Sequence, residues 1–311
     1  MHPVVAVAAG CLINGRGEVL IAERPAGKIA AGKWEFPGGK IEPGETARHA
    51  LERELREELG VAIGAARPLI RVRHAYSERT VVLDTWLVTE FSGEPHPHEQ
   101  QALAWVRPED MRGWDLLAAD KPIVAALQLP SDYVFTPPYA DERRVRDGLT
   151  CLPHGALLRL RWPALSDVDY ARLAALIIPA ARAAGLRVTL DRSIEMATQL
   201  GADGWHATST TLASKSLALR DNYSGFRIAS CHDAVELARA KALDFDAAVL
   251  GPVQVTATHP DRVPLGWGVF EKLASDSALP VFAIGGVGLK HAEAFAHYAQ
   301  GTAGISSYWP S

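Results

Sequence analysis

From Ser131 onward, short apolar runs alternate with stretches of helical periodicity, and this rhythm leaves few folds open. The runs are Tyr133–Thr136, Leu157–Leu160, Leu186–Leu190, Gly204–His206, Arg227–Ala229, Ala247–Leu250, Val281–Ile284 and Ala303–Ile305. Patterns such as Tyr170–Ala184, Ala234–Leu243 and Ala292–Ala299 repeat at a helical period between them. Parallel neighbours need a long crossover, which a helix supplies, so the alternation implies a parallel sheet. Eight such units predict a closed (β/α)₈ barrel, and a length of about 180 residues requires tight loops.

Upstream the rhythm differs. Val4–Ile13 and Val19–Glu23 flank the turn-forming Asn14-Gly15-Arg16-Gly17, and Leu69–Tyr76 and Thr80–Phe91 are rich in Val, Thr and aromatics. A helix is predicted over Thr46–Leu59, opened by Pro43-Gly44 and closed by Gly60, with a shorter one over Lys121–Gln128. The change of pattern at Pro130 divides the chain into an α+β domain, 1–129, and an α/β barrel, 131–311.

A net charge of −4 argues against a nucleic-acid partner, since such binders carry a basic surplus. No run of 18 apolar residues occurs, so no membrane partner is expected, and Val4–Ile13 lacks the basic flank of a signal peptide. Cys11, Cys151 and Cys231 are odd in number and far apart, which fits a reducing, cytoplasmic setting.

The predicted helix at Thr46–Leu59 carries more charge than a buried face tolerates. At about 100° per residue, Ala47, Leu51 and Leu55 form one apolar stripe. Glu58 projects between Ala47 and Leu51, Glu54 lies at the stripe's edge, and Glu57 is next to Glu54. A bare carboxylate on a buried side costs several kcal/mol unless compensated. Three of them together, all hard oxygen donors, suit Mg²⁺, with Mn²⁺ as the alternative.

The segment Gly39-x5-Glu45-x7-Arg53-Glu54-Leu55-x-Glu57-Glu58-x-Gly60-Val61 resembles the Nudix box at every specified position. The resemblance implies an α/β/α sandwich that hydrolyses a phosphoanhydride with Mg²⁺. It also implies metal ligation by Glu54, Glu57, Glu58 and the Gly38 carbonyl, and an Arg53–Glu45 pair that orients the helix. Water would attack phosphorus, with either Glu54 or Glu99 accepting its proton.

Around the box, Gly32-Lys33-Trp34-Glu35-Phe36-Pro37-Gly38-Gly39-Lys40-Ile41-Glu42 resembles the MutT branch of that family, which converts 8-oxo-dGTP to its monophosphate and pyrophosphate. The likeness implies a small-molecule nucleotide substrate bound by Arg24, Phe36 and Asp120, with Glu99 a further metal-associated carboxylate. The branch reads the oxidised base with an asparagine where Asp120 stands. An ionised Asp120 accepts a hydrogen bond from N7–H but cannot donate to O6, so weakened discrimination is expected.

The barrel resembles the thiamine-phosphate synthase/TenI family, through Ala202-Asp203-Gly204-Trp205-His206, Ser230-Cys231-His232, Leu250-Gly251-Pro252-Val253, Pro264-Leu265-Gly266 and Ala283-Ile284-Gly285-Gly286-Val287. That likeness implies a phosphate site at Gly285, Gly286, Ser306 and Ser307, and a ligand resembling thiazole phosphate. Arg161 and Asp191 match active-site positions. Pro163, Leu190, Thr211 and His259 replace the polar residues the synthase reaction uses, so no synthase activity is expected. Two alternatives stay open: a Nudix enzyme for a thiamine-pathway diphosphate, and a barrel that acts purely as a thiazole- or phosphate-binding module. Single barrel histidines such as His206, His232 and His259, and the His96-x-His98 pair, read more simply as packed or capping residues.

Overall fold

The structure is a computed structural model that describes residues 3–139, 141–214, 223–256, 262–288, 291 and 298–309. It divides into two compact units, the first ending at Gln128 and the second starting at Leu129. No helix among the described residues is long and apolar enough to cross a membrane.

The first unit is built from β1 (Val4–Leu12), β2 (Val19–Glu23), β3 (Trp34–Glu35), β4 (Gly38–Lys40), α1 (Ala47–Leu59), β5 (Ala62–Ile63), β6 (Ala66–Ala75), β7 (Thr80–Val88), β8 (Phe91–Ser92), β9 (Leu103–Val106) and α2 (Lys121–Gln128). Its main sheet has the order β4-β1-β7-β6, with β1 and β7 parallel and the outer pairs antiparallel. Two smaller sheets, β3-β2-β9 and β5-β8, complete it. Alternation along β1 sends its side chains to opposite faces. Ala8 and Leu12 pack with Leu51, Leu55 and Leu59 of α1, while Ala9 and Cys11 pack with Ile123 and Val124 of α2. The result is an α/β/α sandwich with one core on each face of the sheet.

The helix begins one residue later than predicted, because Thr46 is its cap: the Thr46 hydroxyl accepts from the His49 N–H at 3.2 Å. Its buried face is Ala50, Leu51, Leu55 and Leu59, and Ala47 is only half-buried. The long run Thr80–Phe91 is broken after Val88, where Thr89 and Glu90 both bond to the Ala65 carbonyl and a new strand starts at Phe91.

The second unit is a closed parallel barrel. Its strands are β10 (Asp132–Phe135), β11 (Leu157–Leu160), β12 (Arg187–Leu190), β13 (Gly204–Ala207), β14 (Phe226–Cys231), β15 (Ala247–Leu250), β16 (Val281–Ile284) and β17 (Gly301–Gly304), in sequential order, with β17 returning to β10. Helices α3 (Glu142–Leu149), α4 (Asp167–Ala183), α5 (Ile194–Gln199), α6 (Ser209–Ala213), α7 (Ala234–Ala242) and α8 (Trp267–Asp276) fill the connections. Tyr133, Phe135, Leu157, Ile228, Val249 and Phe282 form an apolar core cluster of this unit. Most of the helix expected at Ala292–Ala299, and His259, lie outside the described residues.

Candidate functional site

Burial of Leu51, Leu55 and Leu59, worth about 1.5–3 kcal/mol each, fixes α1 against the sheet beside β4. Glu54 and Glu58 are thereby brought to the Gly38-Gly39 backbone. The Glu54 carboxylate lies so close to Gly39 that a Cβ there would sit 2.2 Å from its carboxyl carbon. Gly38 has φ +149°, and a Cβ on it would meet the Ala8 carbonyl at 2.1 Å. Only glycine fits at 38, where the obstacle is backbone, while a side chain at 39 would have to push the Glu54 carboxylate aside.

The Gly38 N–H donates to Glu58 Oε2 at 3.2 Å. Burial, and then the charge of Glu99, push the Glu58 carboxyl up to about 7. Arg53 forks onto Glu45, donating to Oε1 at 3.1 Å and Oε2 at 2.9 Å, and to the Lys40 carbonyl at 3.0 Å. Its Nη1 also reaches Glu54 at 2.8 Å and the exposed Glu57 at 3.4 Å.

Glu99 arrives by a route that sequence spacing does not reveal. The free carbonyls at the end of α1 need donors. His96 N–H bonds to Leu59 O at 3.0 Å, His98 N–H to Glu58 O at 3.1 Å, and the His98 ring Nδ1 to Glu57 O at 2.9 Å. Glu99 is thus docked beside the helix, where it pairs with Lys28. His96 and His98 are helix-end donors, which is their role in this geometry.

Among the described residues no group of three acidic, cysteine or histidine side chains is arranged to hold a metal ion. The expected ready-made cluster is therefore spread out. Bare carboxylates repel one another, and Arg53 and Lys28 draw Glu54, Glu57 and Glu99 toward themselves. The donor set nonetheless fits a hard divalent cation. Every donor is an oxygen, and Glu58, raised first by burial and then by the charge of Glu99, is a carboxyl that such a cation would help to ionise.

The remaining predicted residues gather elsewhere in this unit. Arg24 pairs with Glu35 and donates to the Ile29 carbonyl at 2.7 Å. The Phe36 side chain is buried in the core, while its backbone N–H serves Asp120. Asp120 is 3% exposed, and its Oδ2 is buried without a partner. Burial, with a further contribution from Glu35, pushes its carboxyl up to about 8. An ionised Asp120 is thus the wrong species at neutral pH: the neutral acid both donates and accepts, as an amide does. Sequence reasoning missed Glu35 and Lys28, whose partners Arg24 and Glu99 are brought to them by the fold and have no local signature.

In the barrel, Gly285 and Gly286 turn the chain after β16 with φ +92° and +67°. Ser306 and Ser307 follow β17, both exposed, and Ser307 Cβ lies 3.0 Å from where a Gly288 Cβ would stand. Deeper, Arg159 donates to Asp191 at 3.0 Å and to His206 Nε2 at 3.0 Å. The His206 ring also meets Tyr133 and Ser230, each at 2.8 Å, and burial holds it far below the usual histidine range. It is therefore neutral. His232 is tied to Glu236 at 2.9 Å, Thr211 bonds Thr208 at the start of α6, Leu190 is buried, and Pro163 is exposed.

Comparison with known proteins agrees with this division. Residues 8–126 match the family described as NUDIX domain, and residues 133–308 match the family described as thiamine monophosphate synthase. A CTP pyrophosphohydrolase of Escherichia coli is 42% identical over 126 residues, 40% of this chain and 92% of the relative. An 8-oxo-dGTP diphosphatase of E. coli is 35% identical over 122 residues, 39% and 95% of the two chains. The solution structure of the E. coli ORF135 protein, 40% identical, covers 40% of this chain and 89% of that one, with a TM-score of 0.37.

Proposed function

This chain belongs to the Nudix family through its N-terminal unit and to the thiamine monophosphate synthase family through its barrel, and on that premise we propose that the N-terminal unit hydrolyses 8-oxo-dGTP to 8-oxo-dGMP and pyrophosphate. The observation that carries the reading is Asp120: a buried carboxyl with one oxygen free of any partner, whose burial pushes it up to about 8 and so favours the neutral acid. A neutral acid at that place accepts from N7–H of the oxidised base and donates to its O6.

Glu54, Glu57, Glu58, Glu99 and the Gly38 carbonyl are the groups that would hold Mg²⁺ or Mn²⁺. When bound, the ion neutralises phosphate charge and lowers the pKa of water. The protein's own groups do the rest. Arg53 fixes Glu54 through its fork on Glu45, and Glu54 or Glu99 takes the proton of the attacking water. Glu35 and Arg24 flank the base-reading carboxyl. A cytoplasmic nucleotide pool is the setting that suits this activity.

A second reading, CTP, is favoured by the name of the 42% identical relative. Cytosine also presents a donor beside an acceptor, N4–H₂ and N3, which the same neutral acid can meet. Parallel measurement of kcat/KM for 8-oxo-dGTP, dGTP and CTP separates the two. A clear lead of 8-oxo-dGTP over the others is expected, CTP in first place would transfer the assignment, and dGTP equal to 8-oxo-dGTP would refute base reading by Asp120.

For the barrel, the reading is a phosphate-binding module without synthase activity. Pro163, Leu190 and Thr211 offer a departing pyrophosphate no charge compensation.

A further inference from the structure

The connection between β2 and β3 is closed by its own backbone. Arg24 N–H donates to the Lys33 carbonyl at 2.8 Å and Gly32 N–H to the Arg24 carbonyl at 3.0 Å. The Arg24 Nε holds the Ile29 carbonyl at 2.7 Å, and Ala30 turns the chain with φ +61°. Lys28 is carried at the tip of this connection, beside the exposed Ile29.

The Lys28 ammonium is ion-paired with Glu99. Its charge reaches further. Burial pushes the Glu58 and Glu35 carboxyls up, and the Lys28 charge opposes that at both. One cation thus serves three carboxylates from separate segments, Glu99 by direct contact and the other two through space. Lys33, on the same connection, pairs instead with Asp115 at 2.6 Å.

Glu99 cannot serve two cations equally. The backbone around it is held by the bonds that His96 and His98 make to the end of α1, and its own N–H donates to Gln101 Oε1 at 2.9 Å. Its carboxylate is committed to Lys28. A divalent ion that recruits Glu99 has to displace that ammonium or stand beside it, and like charges a few ångströms apart repel.

We propose that Lys28 is a built-in competitor of the metal ion: it holds Glu99 until a divalent cation takes its place, and so lowers the metal affinity of the nucleotide-free site. This inference rests on reading Glu54, Glu57, Glu58 and Glu99 as the metal-holding groups. Both side chains of the pair are 43% exposed, and exposed ion pairs are weak. The competition is therefore a small factor, about two- to fivefold in metal affinity. Weakness suits exchange, because breaking a buried pair would strand a desolvated charge and an exposed pair carries no such penalty.

The test is Mn²⁺ binding to the full-length chain without nucleotide, followed by the electron paramagnetic resonance signal of the free ion. Lys28→Met should tighten binding about two- to fivefold. Lys28→Arg keeps a charge for Glu99 and should not tighten it. Lys33→Met removes an equal charge from the same connection and should leave the affinity unchanged. In a Glu99→Gln background, Lys28→Met should lose most of its effect, since the pair is already broken. The side chains of Lys28, Lys33 and Glu99 are all exposed, so these variants are expected to keep the parent's circular dichroism. Equal Mn²⁺ affinity in the parent and Lys28→Met would overturn the competition. Equal tightening by Lys33→Met, or tightening undiminished in Glu99→Gln, would reduce it to a general charge effect and overturn the role of the pair. Failure of every one of these chains, the parent included, to bind Mn²⁺ would instead overturn the metal reading of the carboxylates.

Discussion

Replacing Asp120 by asparagine should be near neutral for the N-terminal unit at pH 5 and stabilise it at pH 8. In the unfolded chain the carboxyl titrates near 3.8, and in the fold burial moves it to about 8. A raised carboxyl contributes its full stability only below the unfolded value. That contribution is lost as pH rises toward the folded value, because the unfolded state sheds a proton that the folded state must keep. At 1.36 kcal/mol per unit, the cost of keeping Asp120 protonated is about 2 kcal/mol at pH 5 and about 5 kcal/mol at pH 8. Asparagine never ionises, so Asp120→Asn escapes the cost. It pays instead for a buried N–H without an acceptor, about 1–3 kcal/mol, at every pH. The difference between the two pH values isolates the ionisation term, about 3 kcal/mol. At about 2–4 °C per kcal/mol, the Tm gain at pH 8 should exceed that at pH 5 by roughly 10 °C. Scanning calorimetry of the full chain, following the N-terminal transition, measures this. Equal shifts at both pH values would mean that Asp120 is ionised in the fold, and the base-reading argument would fall with it.

Preference for 8-oxo-dGTP over dGTP should decline in the parent as pH rises through about 8, where Asp120 loses its donor proton, and stay level in Asp120→Asn; kcat/KM ratios between pH 6.5 and 9 decide it. Glu54→Gln and Glu57→Gln should each lower Mg²⁺-dependent turnover by orders of magnitude with circular dichroism unchanged, and activity within about threefold of the parent would remove the helix site. A fragment of residues 1–129 should retain diphosphatase activity, because each side of Pro130 has its own core; a folded but inactive fragment would tie the barrel to the reaction. Purified full-length chain supplied with hydroxymethylpyrimidine diphosphate, thiazole phosphate and Mg²⁺ should form no thiamine phosphate, and a synthase-like rate would refute the loss of that chemistry.

What the sequence disclosed depended on how local the cause was. The strands of the barrel are legible because a four-residue run such as Ala247–Leu250 is buried on all sides and must be apolar throughout. Helix α1 is legible because its charges and leucines recur at a helical period, although Ala47 was assigned to the stripe that Ala50 and Leu59 complete. Two-residue strands such as Trp34–Glu35 and Phe91–Ser92 carry no period at all, and only their partners make them strands. The neighbours of Gly38 and Gly39, the Ala8 backbone and the Glu54 carboxylate, have no local signature and are set by the fold.

Charge states proved the least legible property, for a physical reason. A pKa is set by desolvation and by neighbours within a few ångströms, and both are products of tertiary packing. Asp120 sits in a polar-looking stretch, Ala119-Asp120-Lys121, yet the fold buries it completely and reverses its chemistry from pure acceptor to donor and acceptor. Arg159 is the converse case. It interrupts the apolar run Leu157–Leu160, and the run itself does not say what its charge meets. Closure of the barrel buries it against Asp191. Asp120 and Arg159 thus undergo the same kind of event. Each is buried by the fold, and burial decides whether a group loses its charge or keeps it against a partner.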